Sequence, residues 1–107
     1  MYYAARYYVS RNMSDPTLLI LASLAGGQKH GYAMLTDVAE FSGVALGPGT
    51  LYGAISRLEQ EGLIEAVGST GRRRPYRITA RGRKHLEAQV AALAPIIRVS
   101  ARRLRNA

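Results

Sequence analysis

The sequence predicts a mainly α protein with one small β-hairpin, on three observations. Apolar residues recur at helical spacing through three stretches between residues 15 and 61. The period then shortens to two across short runs at 63–67 and 75–79, and helical spacing returns from residue 80 onward. The length of 107 residues fits one domain, and an apolar fraction of 48% is enough for a real core. A domain this short buries a modest share of its surface, so a second copy that adds buried area is expected.

Residues 1–14 form an aromatic leader. Tyr3 and Tyr7, four apart, share a face if the leader is helical, and a frayed terminus is the other reading. Asp15-Pro16 reads as an N-cap followed by proline at the first helical position. The helix it opens carries Leu18, Leu21 and Leu24 at core spacing and stops at Gly26-Gly27. A second helix begins near His30-Gly31 and reaches about Glu40, with Tyr32, Leu35, Val38 and Ala39 as its apolar face. Residues 43–49 are a turn. Pro48 opens a third helix, whose Leu51, Ile55 and Leu58 form one inward stripe until Gly62 stops it.

Leu63 to Val67 reads as a strand, Gly68 to Gly71 as a turn, and Pro75 to Thr79 as a second strand with Tyr76 and Ile78 on one side. Thr79 caps a last helix from Ala80. Its Leu86, Val90, Leu93, Ile97 and Leu104 continue a four-three spacing with Ser100 in one seam place, and Pro95 is expected to kink or break it near 91–94. Three short helices, a hairpin and a final helix is the order of a winged helix-turn-helix, the hairpin being the wing. The expected organisation is a leader over 1–14, a winged helix-turn-helix over 15–79, and a C-terminal dimerisation helix with a basic tail over 80–107.

Fifteen basic residues against seven acidic ones leave a net charge of +8, and thirteen of the fifteen are arginine. This favours bidentate contact with phosphate, and an anionic partner, either nucleic acid or a membrane surface. Between Glu65 and Glu87 there is no acid, while Arg72, Arg73, Arg74, Arg77, Arg81, Arg83 and Lys84 all fall there. A solvated loop is the plainer account of such a run. Its place at a hairpin tip, beside a helix with a free polar face, favours phosphate contact. On the third helix the inward stripe leaves Gly49, Thr50, Gly53, Ser56, Arg57 and Gln60 facing outward. Thr50, Ser56 and Arg57 suit phosphate or base edges, and two glycines clear the way for close approach. Tyr32, Tyr52 and Tyr76 each combine an apolar ring with a hydroxyl. Contact is favoured for Tyr52, while Tyr32 and Tyr76 read equally well as rim-of-core residues.

Leu18-Leu19-Ile20-Leu21 followed by His30-Gly31-Tyr32, then Pro48-Gly49-Thr50-Leu51-Tyr52 and Arg57-Leu58-Glu59-Gln60-Glu61-Gly62-Leu63-Ile64, resemble the pattern of the PadR family. Arg73-Arg74-Pro75-Tyr76-Arg77-Ile78-Thr79, with Gly82 three beyond, is similar to that family's wing and entry to the last helix. The resemblance covers about residues 16–90. It implies a cytoplasmic transcription factor, usually a repressor, that binds double-stranded DNA as a homodimer through its C-terminal helix. The N-terminal segment sometimes helps, so Tyr3, Tyr7, Leu86, Val90, Leu93 and Ile97 are the candidate interface. The short length resembles the subgroup with a single C-terminal helix. Some relatives release DNA on binding an aromatic effector at the dimer interface. Gly53 stands where the family often has proline, and Gly47 where serine or proline is usual.

Other classes fit less well. There is no cysteine, hence no disulfide or thiolate site. His30 and His85 belong to no metal-spacing cluster, no carboxylates are paired for catalysis, and no nucleotide loop or cofactor motif is present. An RNA-binding or ribosome-associated protein is the alternative that charge alone permits, but a strand-borne cluster of exposed aromatics is lacking. The apolar run from Leu18 to Ala25 is too short to cross a bilayer. Arg6 and Arg11 ahead of it superficially resemble a signal peptide, against which Asp15-Pro16 argues for a core helix.

Overall fold

The computed structural model describes residues 15–68 and 74–106, so Tyr3, Tyr7, Arg72 and Arg73 lie outside the described residues. Helix α1 (Pro16–Ala25) starts as expected: the Asp15 carboxylate accepts from the Thr17 amide at 3.0 Å and from its hydroxyl at 2.9 Å. Pro16 occupies a position where no N–H is needed. Leu19, Ile20, Leu21 and Leu24 are buried, more of the helix surface than one stripe. α1 packs against α2 (Gly31–Ser42), α3 (Pro48–Gln60), β2 (Tyr76–Ile78) and α4 (Ala80–Arg105), which makes it the central helix.

The buried face of α2 differs from the expected one. Gly31, Met34 and Val38 are inside, while Tyr32 is 80% exposed and Ala39 is also exposed. The rotation follows from Gly31, which makes the closest approach to α3, and from Met34, whose flexible side chain fills the core beneath it. Gly43 ends the helix at φ 74°, donating its N–H to the Ala39 carbonyl. Helix α3 buries Leu51, Ala54, Ile55 and Leu58. Gly62, also at φ 74°, then turns the chain into β1 (Ile64–Ala66).

β1 and β2 pair antiparallel with Ile64 opposite Ile78, Glu65 opposite Arg77 and Ala66 opposite Tyr76. A third segment joins them: Lys29 and Tyr76 exchange backbone hydrogen bonds at 3.1 and 2.9 Å. The wing base is thereby fastened to the α1–α2 connection. Thr79 caps α4 as expected, its hydroxyl accepting from the Gly82 amide at 3.0 Å and donating to the Gly62 carbonyl at 2.7 Å. Of the kink or break expected at Pro95, the break does not occur: α4 runs through it as one helix of 26 residues. Pro95 removes the donor for the Ala91 carbonyl, but both residues are exposed and water can take that place. The core gathers Ile20, Leu21, Leu24, Met34, Leu51, Ile55, Leu58, Leu63 and Ile64 around the α1–α3–hairpin junction, with Leu86 packed at its edge.

Candidate nucleic-acid interface

With Leu51, Ile55 and Leu58 turned inward, helical periodicity puts Gly49, Gly53, Ser56 and Gln60 along the outermost line of α3, all exposed. A β-carbon built on Gly49 or Gly53 meets nothing within 4 Å, so the fold does not require glycine at either place. Their bareness is a property of the surface. Arg57 and Thr50 flank that line on one side. Together with Gly49, Gly53 and Ala54 of α3 and Asp15, Pro16 and Thr17 at the start of α1, they border an open cleft of about 500 Å³. Tyr52, 46% exposed, flanks it on the other side. Its ring lies over Gly31, where an added β-carbon would be 2.7 Å from the phenol oxygen. Gly31 therefore sets how closely Tyr52 approaches the start of α2, next to the exposed Tyr32.

To an incoming duplex this face presents a strip without side chains, a serine and a glutamine able to hydrogen-bond, and an arginine at one edge. The dimensions of an α-helix match the major groove, and these groups match base edges and phosphates. The exposed first turn of α3 begins at Gly47-Pro48 and adds unpaired backbone N–H groups.

The wing differs from expectation in two respects. Tyr76, a candidate contact, is buried at 7% exposure with its ring in the core. Its hydroxyl accepts from Arg74 Nε at 3.3 Å, and the Arg74 guanidinium carbon stands 5.7 Å from the ring centroid. That hydrogen bond raises the pKa of a guanidinium already charged at any physiological pH. The tyrosine thus anchors the root of the basic loop. Arg77, one of the wing cations, is occupied across the hairpin by Glu65 at 2.7 Å. Cross-strand register puts the two opposite each other, so attraction is satisfied locally. Arg81, Arg83 and Lys84 remain exposed on the first turns of α4.

One polar cluster has no counterpart in the sequence motifs. Lys29 Nζ donates to the Ser23 carbonyl at 2.6 Å and lies 4.0 Å from Asp37, and the buried Ser23 hydroxyl donates to Asp37 at 2.7 Å. It ties α1 to α2 at the residue whose backbone holds the wing. No spacing rule links three residues so far apart in the chain.

On α4, Leu86 is partly engaged by the protomer's own core. Val90 and Ile97 are about half exposed at 54% and 55%, Leu93 is half-buried, Leu104 at the far end of the expected line is exposed, and Ile96 adds apolar surface beside that line. Among the described residues no cluster of ligating side chains suits a metal, and no helix is long and apolar enough to cross a membrane.

Comparison with known proteins agrees with this geometry. A transcriptional regulator from Mycobacterium tuberculosis is 38% identical over 84 residues, covering 76% of this chain and 78% of that protein. An uncharacterised 37.1 kDa protein carried on a transposon of Streptomyces fradiae is 42% identical over 81 residues, although these span only 24% of its length. The crystal structure of a PadR family transcription regulator from Clostridium difficile superposes with a TM-score of 0.71 at 31% identity, covering 83% of this chain and 97% of that one. Residues 20–88 match the transcriptional regulator PadR-like family. The chain belongs to that family, and is a transcriptional regulator of winged-helix fold rather than an enzyme.

Proposed function

We propose that the chain is a cytoplasmic repressor that binds an inverted-repeat operator as a homodimer. One α3 enters the major groove in each half-site, and the wing lies on the flanking backbone. The observation that carries this reading is the outer line of α3, bare at Gly49 and Gly53, carrying Ser56, and edged by Thr50 and Arg57 on one side and Tyr52 on the other. Tyr32 stands beside Tyr52 within reach of phosphate, and Arg72, Arg73 and Arg74 supply the wing's charge. One domain this small reads only a few base pairs, too few to find a site among a genome's competitors, so a second copy is needed. The exposed Val90 and Ile97, with the half-buried Leu93 between them, support α4 as the surface that pairs, Leu86 bridging it to the core; the proposal assigns Tyr3 and Tyr7 to the same interface. Such an apolar pair of helices is also where a small aromatic effector would lodge and alter half-site spacing.

Arg57 provides the test. Arg57→Ala, measured by fluorescence anisotropy on operator variants changed one base pair at a time, should cost about 1–3 kcal/mol and relax preference at one position per half-site. A uniform loss on every sequence would make Arg57 a phosphate clamp. No loss on any duplex would remove α3 from the interface.

A further inference from the structure

We propose that an arginine stripe at the C-terminal end of α4 is a second contact for duplex DNA, gripping phosphates beyond the stretch that α3 and the wing cover; this rests on the DNA-binding reading above. Arg98, Arg102, Arg103 and Arg105 lie within the last eight residues of the helix, and no acid follows Glu87. These four supply half of the net charge of +8 at one end of the chain. Spacings of four and three bring Arg98, Arg102 and Arg105 onto one line of the helix, about a third of a turn round from the apolar line of Val90, Leu93, Ile97 and Leu104. All four arginines are exposed. The ion pairs among the described residues are Lys29–Asp37 and Arg77–Glu65, so the stripe keeps its full charge there.

The helix dipole accounts for cations in the last turn, but its effect falls off within that turn. It does not account for Arg98, about two turns from the end. Nor does it explain why every cation there is arginine, the side chain that meets phosphate bidentately and sheds water readily. The core covers α4 only near Leu86, and the described protein is 53 Å along its long axis against 25 and 24 Å across. The stripe therefore rides on an arm that leaves the body of the domain. The whole helix is roughly 39 Å long and its stretch beyond Leu86 roughly 28 Å, comparable with the roughly 34 Å of one duplex turn. When a second copy takes the apolar side of the arm, the arginine line flanks that contact and stays open to solvent, where a polyanion can reach it.

The test compares the full-length protein with Arg98→Gln/Arg102→Gln/Arg105→Gln. Anisotropy titrations across a salt series use two mixed-sequence duplexes, one several helical turns long and one of a single turn. On the long duplex the slope of log K against log salt should fall by roughly 0.9 for each phosphate no longer neutralised, with the single-turn slope unchanged. A triple Arg→Lys variant should keep most of the slope. Equal slopes for wild type and the Gln variant on the long duplex would overturn the proposal, as would an equal fall on both duplexes. A Gln variant that sediments as a monomer would assign the stripe to pairing. Wild-type binding to phosphatidylserine vesicles that the Gln variant loses, with DNA slopes unchanged, would assign it to a membrane surface. Wild type that binds neither duplex would instead sink the DNA reading itself, before any variant is compared.

Discussion

At Gly82 a β-carbon would overlap the Leu63 carbonyl oxygen and crowd Ile78 Cγ1 at 2.9 Å. Backbone cannot yield there without moving the hairpin that Thr79 and Gly62 pin to α4. Gly82→Ala should therefore cost about 3 kcal/mol, read as a lower urea midpoint with little change in slope. An unchanged midpoint would mean that the hairpin and α4 are not rigidly joined. Single residues are the part least legible in the sequence. Capping by Asp15 and Thr79 follows local rules, and both caps form as those rules require. Gly31 reads as a helix start and is in fact the contact point for Tyr52. Tyr76 offers a ring and a hydroxyl with no indication of which dominates. Its place opposite Ala66, beside Lys29, turns the ring inward and gives the hydroxyl to Arg74. Such outcomes depend on neighbours distant in the chain, which one-dimensional spacing does not display.

Among the elements, those with strong periodicity and explicit stops are legible to within a residue or two. α3 is the clearest case, opened by Pro48 and closed before Gly62. For α2 the spacing gives the right place along the chain and the wrong rotation about its axis, because a glycine and a methionine carry little weight in an apolar stripe. The strand-like pairing of Lys29 with Tyr76 leaves no trace in sequence, being backbone alone. The hairpin raises a question of charge. With Arg77 neutralised by Glu65, the proposed phosphate contact of the wing rests on Arg72, Arg73 and Arg74. Changing those three to alanine should weaken specific and mixed-sequence DNA together, with a salt slope lower by roughly 0.9 for each phosphate the wing releases. A folded variant that keeps the wild-type slope would show the run to be merely solvated. Arg77→Ala serves as the comparison, since an exposed pair of this kind is worth about 0–1 kcal/mol and its removal should leave the slope near its wild-type value.

For the whole molecule, the order of helices, hairpin and final helix is readable because each change of period coincides with a glycine, a proline or a cap. For the proposed dimer, how two copies come together is a larger matter, since α4 carries its apolar line into solvent and the half-sites would have to match its geometry. Two-fold symmetry requires an inverted repeat with half-site centres about 34 Å apart, or a multiple of that distance. Replacing Val90, Leu93 and Ile97 with polar residues should leave α1, α3 and the hairpin packed, because the core engages α4 at Leu86. It should nevertheless abolish specific binding by removing the second reading head. The most direct measurement is analytical ultracentrifugation of wild type and this triple variant, each alone and with an inverted-repeat duplex. Wild type is predicted to sediment as a dimer at micromolar concentration and to bind two chains per duplex, while the variant is monomeric and distinguishes the repeat poorly from mixed sequence. A wild type that is monomeric at tens of micromolar, yet binds the palindrome specifically as a single chain, would contradict the account.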